Sequence, residues 1–472
     1  MRVLELGWEF PPRISGGLGT ACEGIVRGLI AQDVEVLLVL PRLAGGEERS
    51  GATVLSAAAL EAARTAATLA REASAYGDAT EGGLEVIGLP SALRPYLDAA
   101  AYASGVGDAV AHAPMTGGYG KNLFDEVARY ARVVSELAAR EQFDVIHAHD
   151  WMTYSAGVAA RAASGKPLVC HVHASEWDRC GEAGDPRVIA LEQHGFDVAD
   201  RVVCVSHFTR RVLERHYDID PAKVRVVHNA VRRDPTRHHP AEGAPPLFQR
   251  GANHPPTVLF LGRLTRQKGP AFFLEAASLI HAARPDVRFL VAGDGDLKAS
   301  LVEASAASGL ARQVFFTGFL EPHEVERAYA AADLYVMPSV SEPFGIAPLE
   351  ALSFDVPVIV SRQSGVAETL PSAPKVDYWD VPDLALKVLS LLERPELRRA
   401  LVESGQRDIE ALRWETNGER LCAVFRELLQ GPARGAASRG AELRAAAQAR
   451  SAPLVPDTRF PVGSNRPVEG AR

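Results

Sequence analysis

Residues 143–173 read FDVIHAHDWMTYSAGVAARAASGKPLVCHVH, and their order decides the fold. Two short runs rich in Val, Ile and Leu flank a stretch of helix length, the pattern of a strand, a crossover and a second, parallel strand. Outward from there, VLEL (3–6), VEVLLVLP (34–41), RVVCVS (201–206) and VRVVHNAV (224–231) repeat the motif. Near-continuous apolar runs mean that both faces of the sheet are covered, and right-handed crossovers then give an open doubly wound sheet. Residues 1–231 are therefore expected to form one Rossmann-like domain.

From 232 to 256 the chain reads RRDPTRHHPAEGAPPLFQRGANHPP, which is rich in Pro, His and Gly and lacks either periodicity, as a linker does. The alternation restarts with TVLFLGRL (257–264), VRFLVAG (287–293), VFFTGF (314–319), LYVMPS (334–339) and VPVIVS (356–361), so a second doubly wound domain is expected over 257–413. WETNGERLCAVFRELLQ (414–430) reads as a closing helix, and the Ala-, Arg-, Gly- and Pro-rich residues 431–472 as a disordered tail. The expected class is α/β, two Rossmann-like domains whose strand C-termini face one cleft.

The 472 residues exceed what one core supports, and 47% hydrophobic with 23% charged residues is ordinary for a globular protein. A net charge of −8 supplies no basic field, which argues against nucleic acid as a partner. Five widely spaced cysteines form no metal pattern, and Cys170 and Cys204 sit in apolar runs as small core residues. The opening MRVLEL lacks the length of a signal or spanning segment, and the Ala-rich stretch around 55–75 lacks a basic and aromatic face. A cytoplasmic protein without stable membrane association is expected.

Chemistry concentrates at the ends of the predicted strands. GWEFPPRISGGLGT (7–20) leads into a helix, and Gly16 and Gly17 permit close approach of a diphosphate or a sugar hydroxyl to free N–H groups; a turn needing positive φ would use the same residues. A nicotinamide fingerprint fails because Cys22 occupies the third glycine position. Asp150 and His173 end two neighbouring strands, where ligand groups gather, with Trp151 available to a sugar face.

In LFLGRLTRQKG (259–269), Arg263 and Lys268 stand five residues apart between a strand and a helix, suited to neutralise the charge of a departing diphosphate. A Walker loop is excluded, since no Gly precedes Lys268 at the required place and no Ser or Thr follows it. In LYVMPSVSEPFGIAPLEAL (334–352), Glu342 and Glu350 lie eight residues apart across a turn containing Phe344, Gly345 and Ile346. Two such carboxylates need cationic or hydroxylated partners, which a hexose and a ribose supply. Gly293-Asp294-Gly295-Asp296 resembles a metal-binding DxD, but directly after a strand it reads as a turn, and no metal or cofactor is expected.

Together these segments resemble glycosyltransferase family 4, and within it the bacterial and archaeal glycogen- or starch-synthase-like members. The resemblance rests on the GGLG loop, HAHDW, the H-x-H-x-x-E run from His171 to Glu176, Arg263 with Lys268, and Glu342 with Glu350. It implies a GT-B fold and a retaining, metal-independent transfer of glucose from a nucleotide diphosphate to the non-reducing end of an α-1,4-glucan.

By the same resemblance, Asp150 and His173 line the donor-sugar pocket, Gly17 lies near the diphosphate, and Arg263 and Lys268 hold the phosphates. Glu342 faces the glucose and Glu350 the ribose. Family members using ADP-glucose carry Lys two residues before the paired glycines, where this chain has Ile14, and Asp where it has Thr20. The donor base, ADP or UDP, and the acceptor therefore stay open; the alternatives are a small-molecule, polysaccharide or lipid-linked acceptor, or a non-catalytic glucan-binding protein.

Overall fold

The computed structural model describes residues 1–11, 17–41, 52–56, 84–88, 123–232 and 254–430. The expected linker (apart from its ends), the tail and residues 12–16 of the 7–20 loop, Gly16 included, lie outside them.

The first sheet holds eight strands: β1 (Arg2–Leu6), β2 (Glu35–Leu40), β3 (Ala52–Ser56), β4 (Leu84–Gly88), β5 (Val145–His149), β6 (Leu168–Val172), β7 (Arg201–Cys204) and β8 (Val224–Val226). They run in the order β3-β4-β2-β1-β5-β6-β7-β8, every pairing parallel. The second holds β9 (Thr257–Leu261), β10 (Arg288–Ala292), β11 (Val314–Gly318), β12 (Leu334–Met337), β13 (Val358–Ser361) and β14 (Lys375–Val376). Their order is β11-β10-β9-β12-β13-β14, again parallel throughout.

Because parallel strands need crossovers, each sheet is covered on both faces and each face has its own apolar cluster. One face of the first sheet, lined by Val3, Val36, Val145, Val169 and Val203, packs against the helices Gly17–Ile30 and Trp414–Gln430. Those two helices cross so closely that a Cβ on Gly28 would lie 2.1 Å from the Trp414 carbonyl oxygen, and one on Gly418 equally close to that of Gly28. The last described helix is thus docked on the first sheet, although it follows the second in sequence. Residues Met1–Gln430 form one compact unit.

The run VRVVHNAV is a strand only over Val224–Val226. Its remaining apolar residues leave the sheet to bridge the two halves: Val227 and Ala230 pack in the first domain's cluster, and Val231 in that of the second.

Candidate functional site

After β9 the chain makes a short 3₁₀ turn, Arg266–Lys268, then Gly269 at φ 69°, then the helix Pro270–Ala283. A Cβ at Gly269 would stand 2.1 Å from the Pro338 carbonyl oxygen, so glycine there lets this loop lie against the one after β12. The Lys268 ammonium consequently reaches Glu342, with Nζ 2.6 Å from Oε2, and the Ser339 hydroxyl donates to the same oxygen at 3.3 Å. Glu342 is only 5% exposed, and this pair is what makes a carboxylate tolerable there. Its backbone is pinned as well: its N–H donates to the Gln363 carbonyl at 2.9 Å, and its carbonyl accepts from Gly365 N–H at 2.9 Å.

Arg263 leaves the same strand end on the same loop. Phe344 is buried, Gly345 takes φ 98°, and Ile346 precedes the helix Ala347–Ser353, which carries Glu350 in its first turn. The Tyr329 hydroxyl donates to Glu350 Oε2 at 2.8 Å, while burial raises the Glu350 carboxyl above its ordinary range. Asp294 accepts from Lys298 at 2.7 Å and from the Gly295 N–H at 2.8 Å, so the Gly293–Asp296 loop has protein partners for that carboxylate.

On the opposite side Asp150 sits at φ 57°, an uncommon conformation for a residue with a Cβ, and one typical of functional strand ends. Its Oδ1 accepts from the N–H groups of His173 (2.7 Å) and Ala174 (3.2 Å), and its Oδ2 from Arg179 at 3.2 Å. Burial raises its carboxyl and Arg179 opposes the rise. Arg179 also lies 3.8 Å from Glu176 and 3.6 Å from Glu192, so three carboxylates share one guanidinium. The protonated form of Glu192 benefits: burial first, with Asp150 and Glu176 adding, pushes it up to about 8 against the pull of Arg179 and the Tyr217 phenol.

The two sides meet. Ser341 donates to Asp178 at 2.9 Å, and the hydroxyls of Ser206 and Thr209 donate to the Pro343 carbonyl at 2.5 and 3.1 Å. The loop bearing Glu342 thereby abuts the helix starts that follow β6 and β7. The structure therefore pairs Lys268 directly with Glu342, joins Asp150 to the backbone of His173, and leaves Gly17 at the start of its helix.

Sequence reading gave no role to Arg179, Tyr329 or Glu5, and it quoted His147, His149 and His171 within motifs without the buried cluster that they form with Glu5. The signal for the last was present: His-x-His twice on neighbouring strands puts four rings on one face. Two triads, Cys22–His149–His173 and His147–His149–His171, bring a nitrogen or sulfur from each member within 4.8 Å, the span of a metal site. Both nitrogens of His149 already face hydrogen-bond partners, so we read the cluster as a hydrogen-bonded network.

Two parallel sheets presenting strand-end loops to each other, with a cation–carboxylate pair beside the junction, place the molecule in the two-domain α/β class whose ligand groups gather at strand ends. The chain matches the family model "Glycosyl transferases group 1" over residues 248–408 and "Glycosyltransferase Family 4" over residues 62–235. It is 25% identical over 439 residues to an uncharacterized glycosyltransferase of Methanocaldococcus jannaschii, covering 90% of this chain and 98% of that protein. It is 32% identical over 314 residues to the alpha-maltose-1-phosphate synthase of Mycolicibacterium smegmatis, covering 61% of this chain and 80% of that one. The crystal structure of Anabaena HepE with UDP-glucose superposes with a TM-score of 0.60 at 16% identity, over 90% of this chain and all of that one. The fold is GT-B. The chain belongs to glycosyltransferase family 4.

Proposed function

We propose that this glycosyltransferase moves glucose, with retention, from a nucleoside diphosphate to the non-reducing end of an α-1,4-glucan. The observation that carries the reading is the Lys268–Glu342 pair at 2.6 Å where the two halves meet. A donor diphosphate entering there draws the ammonium toward its phosphates and leaves Glu342 to accept from a hexose hydroxyl. As the C1–oxygen bond breaks, charge grows on the leaving phosphate, and Lys268 with Arg263 stabilises that charge more than the ground state. The phosphate oxygen takes the acceptor hydroxyl's proton, and the new C1–oxygen bond forms on the same face, so no protein nucleophile or metal is used.

Glu350, held by Tyr329, receives the ribose hydroxyls, and Phe344, Gly345 and Ile346 shape the turn against the donor. Gly17, at the start of its helix, brings its N–H toward the diphosphate. Asp150 acts by bracing the His173–Ala174 backbone, with His173 turned to the hexose.

A sugar phosphate as acceptor is a second reading, favoured by the similarity to an alpha-maltose-1-phosphate synthase. The test is release of nucleoside diphosphate from ADP-glucose and UDP-glucose with glycogen, glucose 1-phosphate or buffer. Glycogen-dependent release supports the first reading; glucose-1-phosphate-dependent release replaces it with the second. Release with neither donor under any condition removes both. None of the described helices is long and apolar enough to cross a membrane.

A further inference from the structure

The chain leaves β14 through Asp377-Tyr378-Trp379-Asp380, and there an indole stands open to solvent: Trp379 is 59% exposed. Neighbouring rings hold it in place. Trp379 meets Tyr378 edge to face, at 86° with the centroids 4.8 Å apart, and Tyr378 packs in turn on Phe272 at 5.0 Å.

Both supports lead back to the candidate site. Phe272 lies in the first turn of the helix Pro270–Ala283, which begins directly after Lys268 and Gly269. Asp377 accepts from the Gln363 side-chain amide at 2.8 Å, and the Gln363 carbonyl accepts from the N–H of Glu342 at 2.9 Å. Only β13 separates β12 from β14, so the strand ends that lead to Glu342 and to Trp379 are two strand spacings apart, about 10 Å.

The surroundings restrict what this ring can meet. Asp377 lies 3.7 Å from Arg362, Asp380 accepts from the N–H of Asp383 at 3.0 Å, and Asp383 is paired with Lys387. With these carboxylates matched inside the fold, a cationic ligand gains little, while a phosphate or an anionic headgroup is opposed by them. One indole among charged side chains also offers far less apolar surface than a protein interface buries. A neutral sugar suits it: the C–H groups on one side of a pyranose lie against the electron-rich indole face, and the hydroxyls at its edge meet the polar rim.

We propose that Trp379 is the platform of a second carbohydrate site, which binds an internal stretch of the α-glucan whose end reaches Lys268 and Glu342. This rests on the α-glucan reading given above. A chain held at a second point returns its end to the first from a raised effective concentration, so the site favours long acceptors over short ones.

Affinity electrophoresis of the nucleotide-free protein through gels of increasing glycogen content reads the site without turnover. Wild type should be retarded, and Trp379→Ala should bind glycogen about 10-fold more weakly. Trp379→Tyr keeps a stacking face and should stay within about threefold of wild type. Leu397→Ala, which removes an exposed apolar side chain just beyond the far end of the helix Val381–Glu393, should bind as wild type does. No retardation of wild type, equal affinity in wild type and Trp379→Ala, or an equal loss in Leu397→Ala overturns the proposal. So does a dimer in light scattering that Trp379→Ala dissociates, since a second copy then covers the ring.

In turnover, the ratio of kcat/KM for maltoheptaose to that for maltotriose should fall about 10-fold in Trp379→Ala. An unchanged ratio overturns the platform and leaves the transferase reading in place. Trp379-dependent retardation without glycogen-dependent release of nucleoside diphosphate supports the sugar site and overturns the α-glucan acceptor instead.

Discussion

At the scale of single residues, the cluster around Arg179 makes a statement about pH. Burial pushes the Glu192 carboxyl up to about 8 in the folded chain, against 4.5 for an ordinary glutamate. A raised carboxyl contributes stability that is complete below the unfolded value and is lost as pH rises through the folded one. Between pH 5 and 9 the melting temperature should therefore fall, and Glu192→Gln, which keeps the shape and the acceptor for the Glu176 N–H, should flatten that fall. Equal slopes in the two proteins would show Glu192 ionised in the fold. Glu5 acts oppositely: its lowered carboxyl contributes stability above the unfolded value that is lost as pH drops toward about 2.

Residue-level legibility was uneven for a physical reason. Lys268 and Glu342 could be singled out because polar groups at the ends of apolar strands stand out in the sequence. Glu5 could not, since one acid in VLEL looks like an edge position until the register sets it opposite His147.

At the scale of elements, the crossing of Gly17–Ile30 over Trp414–Gln430 depends on backbone contact. Gly24 has no room for a Cβ beside the Trp414 ring, which would lie 2.0 Å away, and Gly28 none beside the Trp414 carbonyl. Gly28→Val should force the helices apart and destabilise the chain by about 1–3 kcal/mol, measured as a lower urea midpoint; an unchanged midpoint would mean that the helices do not cross this closely.

The strands were readable because Val-, Ile- and Leu-rich runs have a simple physical cause in two-sided burial. The run at 224–231 misled for the same reason, because its apolar residues are buried between domains rather than within a sheet. Strands Ala52–Ser56 and Leu84–Gly88 lie in and beside a long Ala- and Gly-rich stretch where no such run stands out. The docking of 414–430 on the first sheet left no mark in the periodicity, since amphipathicity states that a helix is buried but not against what.

At the scale of the whole molecule, specific contacts among the described residues join the two halves. Glu368 accepts from the His207 N–H at 2.9 Å and lies 3.3 Å from His228 and 3.4 Å from Arg211. Gly365 fits only because it lacks a Cβ, which would stand 2.5 Å from the Ser206 Cβ. Gly365→Val should separate the halves, raising the radius of gyration in solution scattering and lowering turnover about 100-fold through misplaced reacting groups. Wild-type dimensions with wild-type turnover would show that this contact does not set the working geometry.

The central claim is that Lys268, released from Glu342 by the donor, stabilises the departing diphosphate. Single-turnover release of nucleoside diphosphate from saturating donor, in wild type and Lys268→Ala, tests it most directly. The account predicts a rate lower by roughly 10²–10³-fold, in a protein that still unfolds cooperatively although the unpaired Glu342 lowers its melting temperature. A variant rate within about threefold of wild type would contradict it.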